Sequence, residues 1–140
     1  MKKIVLVLTV LTMMVFSNIC LAADGEALNK EQQIAENFIT NVTSDKSSLD
    51  NISADLDDNL KAKFDATAFD TFKNDVKTKL GDLKEHKFYS FERYDQQDKI
   101  TYAASFKKED VVAMVFLFNK DGKIAEFGFI PMKKDAPQAK

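Results

Sequence analysis

Apolar residues along this chain follow two regimes. Up to Gly81 they recur every three or four positions; from Glu85 onward they alternate or run together. The first spacing is that of helices packed by one face, the second that of strands. Ile34, Phe38 and Val42, with Ala35 and Ile39 beside them, predict a first helix over 30–43, opened by the capping-box form Asn29-Lys-Glu-Gln32. The polar run Ser44 to Ser48 ends it. Leu49, Ile52, Leu56, Leu60 and Phe64 predict a second helical stretch, with Asp55, Asp57 and Asp58 marking a break inside it. Phe69, Phe72, Val76 and Leu80 line one face of a third helix. Thr67 to Asp70 reads as its cap, and Gly81 follows as its terminator.

The second half reads as a meander. Phe88, Tyr89, Phe91 and Tyr94 favour a strand, and Asp95 to Asp98 a turn. Ile100, Tyr102, Ala104 and Phe106 alternate with polar or small residues, as a half-buried strand does. Lys108 to Asp110 turns the chain into the apolar run Val111 to Phe118. Asn119 to Gly122 turns it again, and Ile124 to Ile130 is a last strand stopped by Pro131. Helices followed by an antiparallel meander predict an α+β domain, with the helices on one face of a four-stranded sheet. A three-residue turn at Lys108 to Asp110 pairs Phe106 with Val112 and Tyr102 with Phe116. With Glu126 facing water, the inward set is Tyr102, Ala104, Phe106, Val112, Met114, Phe116, Phe118, Ala125, Phe127 and Phe129. Val111, Ala113, Val115 and Leu117 then form an outward apolar stripe that wants a cover. A partner subunit bound through Val111, Val115 and Leu117 is the simplest one.

The amino end changes the picture of where this domain works. Met1-Lys2-Lys3, an apolar run from Ile4 to Phe16, and the small residues Ala22 and Ala23 have the form of a secretory signal peptide over 1–22. The run is short of the roughly 20 residues of a membrane span. The expectation is an exported protein, periplasmic or secreted, with no stable membrane span after cleavage. The rivals are an uncleaved anchor and a lipoprotein attached through Cys20, although Ile19 stands where a lipoprotein signal wants a small residue. Beyond the signal the plan is a lead-in over 23–29, one domain over 30–131 and a flexible tail over 132–140. Cleavage removes Cys20, the single cysteine, and with it disulfides and thiol chemistry. The formal charge of −2 becomes about −4 without Lys2 and Lys3, and the signs are interspersed. That excludes the basic stripe of a nucleic-acid binder. Twelve phenylalanines and no tryptophan predict a bulky aromatic interior.

Several pieces together carry a resemblance: Phe38-Ile39, Asp58-Asn-Leu-Lys61 with Phe64, Phe69-Asp-Thr-Phe72 with Leu80-Gly81, the turn Phe118-Asn-Lys-Asp-Gly-Lys-Ile124 and the ending Phe127-Gly-Phe-Ile-Pro131. From about Lys30 to Pro131 the chain resembles a bacterial exported domain-of-unknown-function family of the nuclear transport factor 2-like, cystatin-like fold superfamily. The resemblance implies a cone: helices against a curved antiparallel sheet, with a pocket between. The wider superfamily includes isomerases, dehydratases, transport factors and plain binding or dimerisation modules, so it implies no single activity and no catalytic residue.

Catalysis in such a cone needs an acid or base inside it. The inward set holds no Asp, Glu or His. Its polar member is Tyr102, joined by Tyr89 if that face of the first strand looks inward. Residues expected to line a ligand are therefore Tyr89, Tyr102, Met114 and Phe116. His86, the one histidine, reads as a solvated strand end. Asp50, Asp55, Asp57 and Asp58 lack the glycine and closing glutamate of a calcium loop and read as caps on a wet helical face. No metal and no cofactor is expected. Asn41-Val-Thr43 and Asn51-Ile-Ser53 match a glycosylation acceptor and read as incidental. The function expected is an exported, non-catalytic module that binds a small apolar ligand or a partner protein in the cell envelope. The alternatives are an isomerase or lyase using Tyr102, and a structural homodimerisation module.

Overall fold

The computed structural model of the protein describes residues 25–133. The expected signal peptide and the tail beyond Lys133 lie outside the described residues. Helix α1 spans Gly25–Thr43. It starts earlier than the expected lead-in and cap allow, because Glu26, Ala27 and Leu28 are good helix formers and Leu28 packs on the core. Asn29 therefore lies inside the helix. The apolar stripe is as expected, with Ile34, Ala35, Phe38, Ile39 and Val42 buried. Asn41 is buried with them. Its amide donates to Asn37 and its carbonyl oxygen accepts from Asn51 Nδ2 at 2.9 Å, which gives both acceptor-pattern asparagines a packing role.

The second helical stretch breaks as the acids suggest. Single 3-10 turns at Leu49–Asn51 and Ser53–Asp55 precede the short helix α2, Asp58–Lys63. Asp57 caps α2, its Oδ1 accepting from the Leu60 amide at 2.7 Å. Helix α3, Ala66–Asp75, continues as a π turn over Val76–Leu80. Its cap is Asp65, bonded to the Ala68 amide at 2.8 Å, rather than the expected Thr67 to Asp70 segment. Gly81 ends it at φ +82°, and a side-chain carbon there would meet Lys107 Cβ at 3.2 Å.

Four strands follow: β1 Leu83–Arg93, β2 Gln97–Phe106, β3 Val112–Asn119 and β4 Ile124–Pro131. They form one antiparallel sheet in the order β1-β2-β3-β4. Gly122 takes the left-handed conformation its turn position requires, at φ +73°. The register of β2 against β3 differs from expectation: Tyr102 pairs with Met114 and Ile100 with Phe116. The connection is longer than three residues because Lys107 and Lys108 give their amides to Asp82 and Leu80, at the junction of α3 and β1. The slip is two residues, so every side chain keeps its expected face. In β4 a bulge leaves Ala125 unpaired, which turns Ile124 inward in its place. Phe127 stays buried and Phe129 is half-buried.

The helices pack on the inner face of the sheet through an aromatic cluster. The Phe38 ring lies 4.5 Å from Phe127 and 5.5 Å from Phe116. Phe127 in turn meets Phe64 at 5.0 Å and Phe72 at 5.1 Å, mostly edge to face. Phe38 therefore joins α1 to β3 and β4 in one step. Phe38→Ala should cost about 3–5 kcal/mol, read as a lower urea midpoint with an unchanged slope.

Candidate functional site

Tyr102, Met114 and Phe116 sit together on the inner face, all essentially without solvent exposure. Tyr89 does not join them. It is the unpaired residue of a bulge between Phe88 and Ser90 and is 73% exposed, so the expectation that it looks inward is corrected. The bulge rotates it out while returning Phe91 to the inner side, opposite Ile100.

The inner face is also not free of titratable groups. His86 pairs with Ala104 and Asp98 with Phe118, which places both on that side. Each meets an acid from α1. Glu36 Oε2 lies 2.6 Å from His86 Nε2, with the glutamate half-exposed and the imidazole about a quarter exposed. The His86 ring stands edge-on to Tyr102, centroids 5.8 Å apart. The Tyr102 hydroxyl donates to the Gln32 carbonyl at 3.5 Å. Burial, then the nearby Glu36 carboxylate, raises the phenol well above its ordinary range. This phenol is a hydrogen-bond donor, and the imidazole–carboxylate pair beside it can hold or pass a proton. Asn29, Gln32, Gln33, Glu36 and Tyr102 line an open hollow of about 450 Å³ at this place.

The second acid is Glu31, 4% exposed, against Asp98. Arg93 holds Asp98 by a fork, Nε to Oδ1 and Nη2 to Oδ2, both at 2.9 Å. Burial, then the charge and hydrogen bond of Asp98, pushes the Glu31 carboxyl up to about 7, against a lowering pull from Arg93. The sequence alone places Asp98 in a turn and His86 at a solvated strand end. One signal was present: Glu31 lies three, four and seven positions before Ile34, Ala35 and Phe38, in line with the buried stripe. His86 gave none, since its face depends on the bulge.

A second hollow, about 290 Å³, lies between the end of α1 and α3, with Asp45, Lys73, Lys77 and Asp82 in its wall. Its charges answer one another. Lys77 and Lys107 both bond Asp82 and hold its carboxyl down at about 2.

On the outer face Val115 and Leu117 lie along β3, with Val111 one residue before it. Val111 is exposed and the other two are half-buried. Exposed Ile130 pairs with Ala113, and exposed Met132 donates its amide to the Val111 carbonyl. One row across three strands reads Lys99, Leu117, Glu126. Among the described residues no helix is long and apolar enough to cross a membrane.

A family described as "Protein of unknown function (DUF3887)" matches the chain over residues 35–127. No curated protein and no solved structure matches it. The matched span includes Glu36, His86, Asp98 and Tyr102 and leaves out Glu31.

The buried phenol has a direct readout. In an ultraviolet titration one tyrosine should ionise only above the pH of free tyrosine, and Tyr102→Phe should delete that late step.

Proposed function

Within the DUF3887 family, to which this chain belongs, we propose an exported, non-catalytic recognition module of the nuclear transport factor 2-like arrangement. It works by docking a protein on the outer face of its sheet, and the partner it fits is a second copy of itself. The observation that carries this reading is the apolar stripe Val111, Val115 and Leu117, extended by Ile130 and Met132 and left partly open. Small residues at the middle of that face, Ala103, Ala113 and Gly128, let a second sheet approach closely. Charge supports a self-match. About a two-fold axis running along β3, Lys99 of one copy, which also holds its own Glu92 at 2.5 Å, meets Glu126 of the other across Leu117. Partial burial raises the Glu126 carboxyl, with Lys63 pulling it down, so a cationic partner there would also be favourable.

The packing of the inner face supports a protein partner over a small apolar ligand. Met114 and Phe116, expected to line such a ligand, are wholly enclosed by neighbouring side chains. The β1 edge is an unattractive place to dock, since it carries Lys84, Glu85, Lys87 and Glu92 and two irregularities of register. Export rests on the signal-like first 22 residues.

A second reading has its own observation. The Glu36–His86 contact of 2.6 Å beside a protonated phenol, at the wall of an open hollow, is what an isomerase or lyase using Tyr102 as electrophile would need. Wild type should then turn over a ketone or enolisable acid at least about tenfold faster than Tyr102→Phe, and equal rates across a panel of such compounds dismiss the enzyme.

For the docking reading, equilibrium sedimentation of the full chain should show a dimer. Val115→Lys should give a monomer, while Lys99→Glu and Glu126→Lys should each weaken the dimer and together restore it. A monomeric wild type at high concentration ends this reading.

A further inference from the structure

The contact between Glu31 and Asp98 has no part in either reading above, and it is unusual in its chemistry. Two carboxyl groups meet between the first turns of α1 and the tip of the β1–β2 hairpin, where water is largely excluded. Glu31 is 4% exposed, and the Asp98 side chain is 12% exposed. The Asp98 oxygens both accept from the Arg93 fork. Glu31 Oε2 is buried without a hydrogen-bond partner. Two ionised carboxylates in hydrogen-bond contact repel, whereas one proton between them makes a donor and an acceptor.

We propose that Glu31 and Asp98 form a proton-operated latch: a shared proton fastens the first turns of α1 to the hairpin tip, and loss of that proton loosens them. The groups that act on Glu31 are Asp98 of β2, which favours the proton, and Arg93 of β1, which opposes it. From β3 the residue opposite Asp98 is the apolar Phe118, so that side supplies no countercharge. The Arg93 fork occupies both Asp98 oxygens while Glu31 Oε2 has no partner, so the shared proton is placed on Glu31. The same turns of α1 carry Asn29, Gln32 and Gln33, so opening the latch also reshapes the hollow beside Tyr102.

The direction follows from the raised carboxyl. Glu31 holds its proton up to about 7 when docked and only to its ordinary value of 4.5 when detached. The latch is therefore fully fastened below the ordinary value and is lost as pH rises through about 7. Beyond that the proton is gone from both forms and the pH dependence stops.

Amide hydrogen exchange on the full chain tests this, with rates corrected for the intrinsic effect of pH. Protection of residues 27–35 should fall by more than about tenfold between about pH 5 and about pH 8 in wild type. Glu31→Gln is neutral at both values and should keep the same protection at each. The latch is overturned by equal protection of wild type at the two values, or by an equal fall in Glu31→Gln. Carbon-13 titration of the Glu31 carboxyl gives a second decision that needs no variant. A midpoint near 7 supports the latch, and one in the ordinary carboxylate range refutes it. Neither readout involves the outer sheet face, so this result and the dimer result stand or fall separately.

Discussion

The Phe38 ring is the contact on which the rest of this structure depends. It projects from the middle of α1 and closes against Phe116 and Phe127 on two neighbouring strands, with Phe64 behind it. Phe127 then passes the packing on to Phe72 of α3. Each ring buried in this way contributes about 1.5–3 kcal/mol, and the cluster joins helices and sheet without any disulfide. The same rings fill the space between the helices and the inner face of the sheet. Polar groups are therefore displaced to the margins of that packing.

This displacement gives the molecule its two acid contacts. Glu31 and Glu36 sit little more than one turn apart on α1, the first within its buried stripe and the second beside it. One reaches Asp98 near the hairpin tip and the other reaches His86 on β1. Their chemistry differs because their exposure and company differ. Glu36 is half-exposed and faces an imidazole nitrogen at hydrogen-bond distance. Glu31 is enclosed and faces a second acid, so ionisation is resisted. The bulge at Tyr89 sets this arrangement, because it adjusts the alternation of β1 so that both His86 and Phe91 look inward.

Much of the fold was legible because burial leaves a period in the chain. The stripe of α1, the face of α3, the strand order and the inner set of β2 and β3 all follow from spacing. The register error shows why even a wrong pairing can keep the right faces: a two-residue slip preserves alternation. The candidate site was less legible. Asp98 looked like a turn residue because its neighbours are polar, yet the hairpin turn is tighter than four residues and β2 begins at Gln97. Tyr89 looked like a lining residue because aromatic composition carries no sign of a bulge.

By itself the sequence determined the class of the fold, the aromatic nature of the core and the apolar character of both faces of β3, since each is written in local periodicity. Only the tertiary structure decided which acid meets which partner. A carboxyl group's role depends on the charge across from it and the water around it, and those come from residues far away in the chain. Glu31 and Asp98 are separated by most of the helical half, and nothing local marks them as neighbours. The packing of α1 on the sheet brings them together, and that closeness turns two ordinary acids into a proton-sensitive contact.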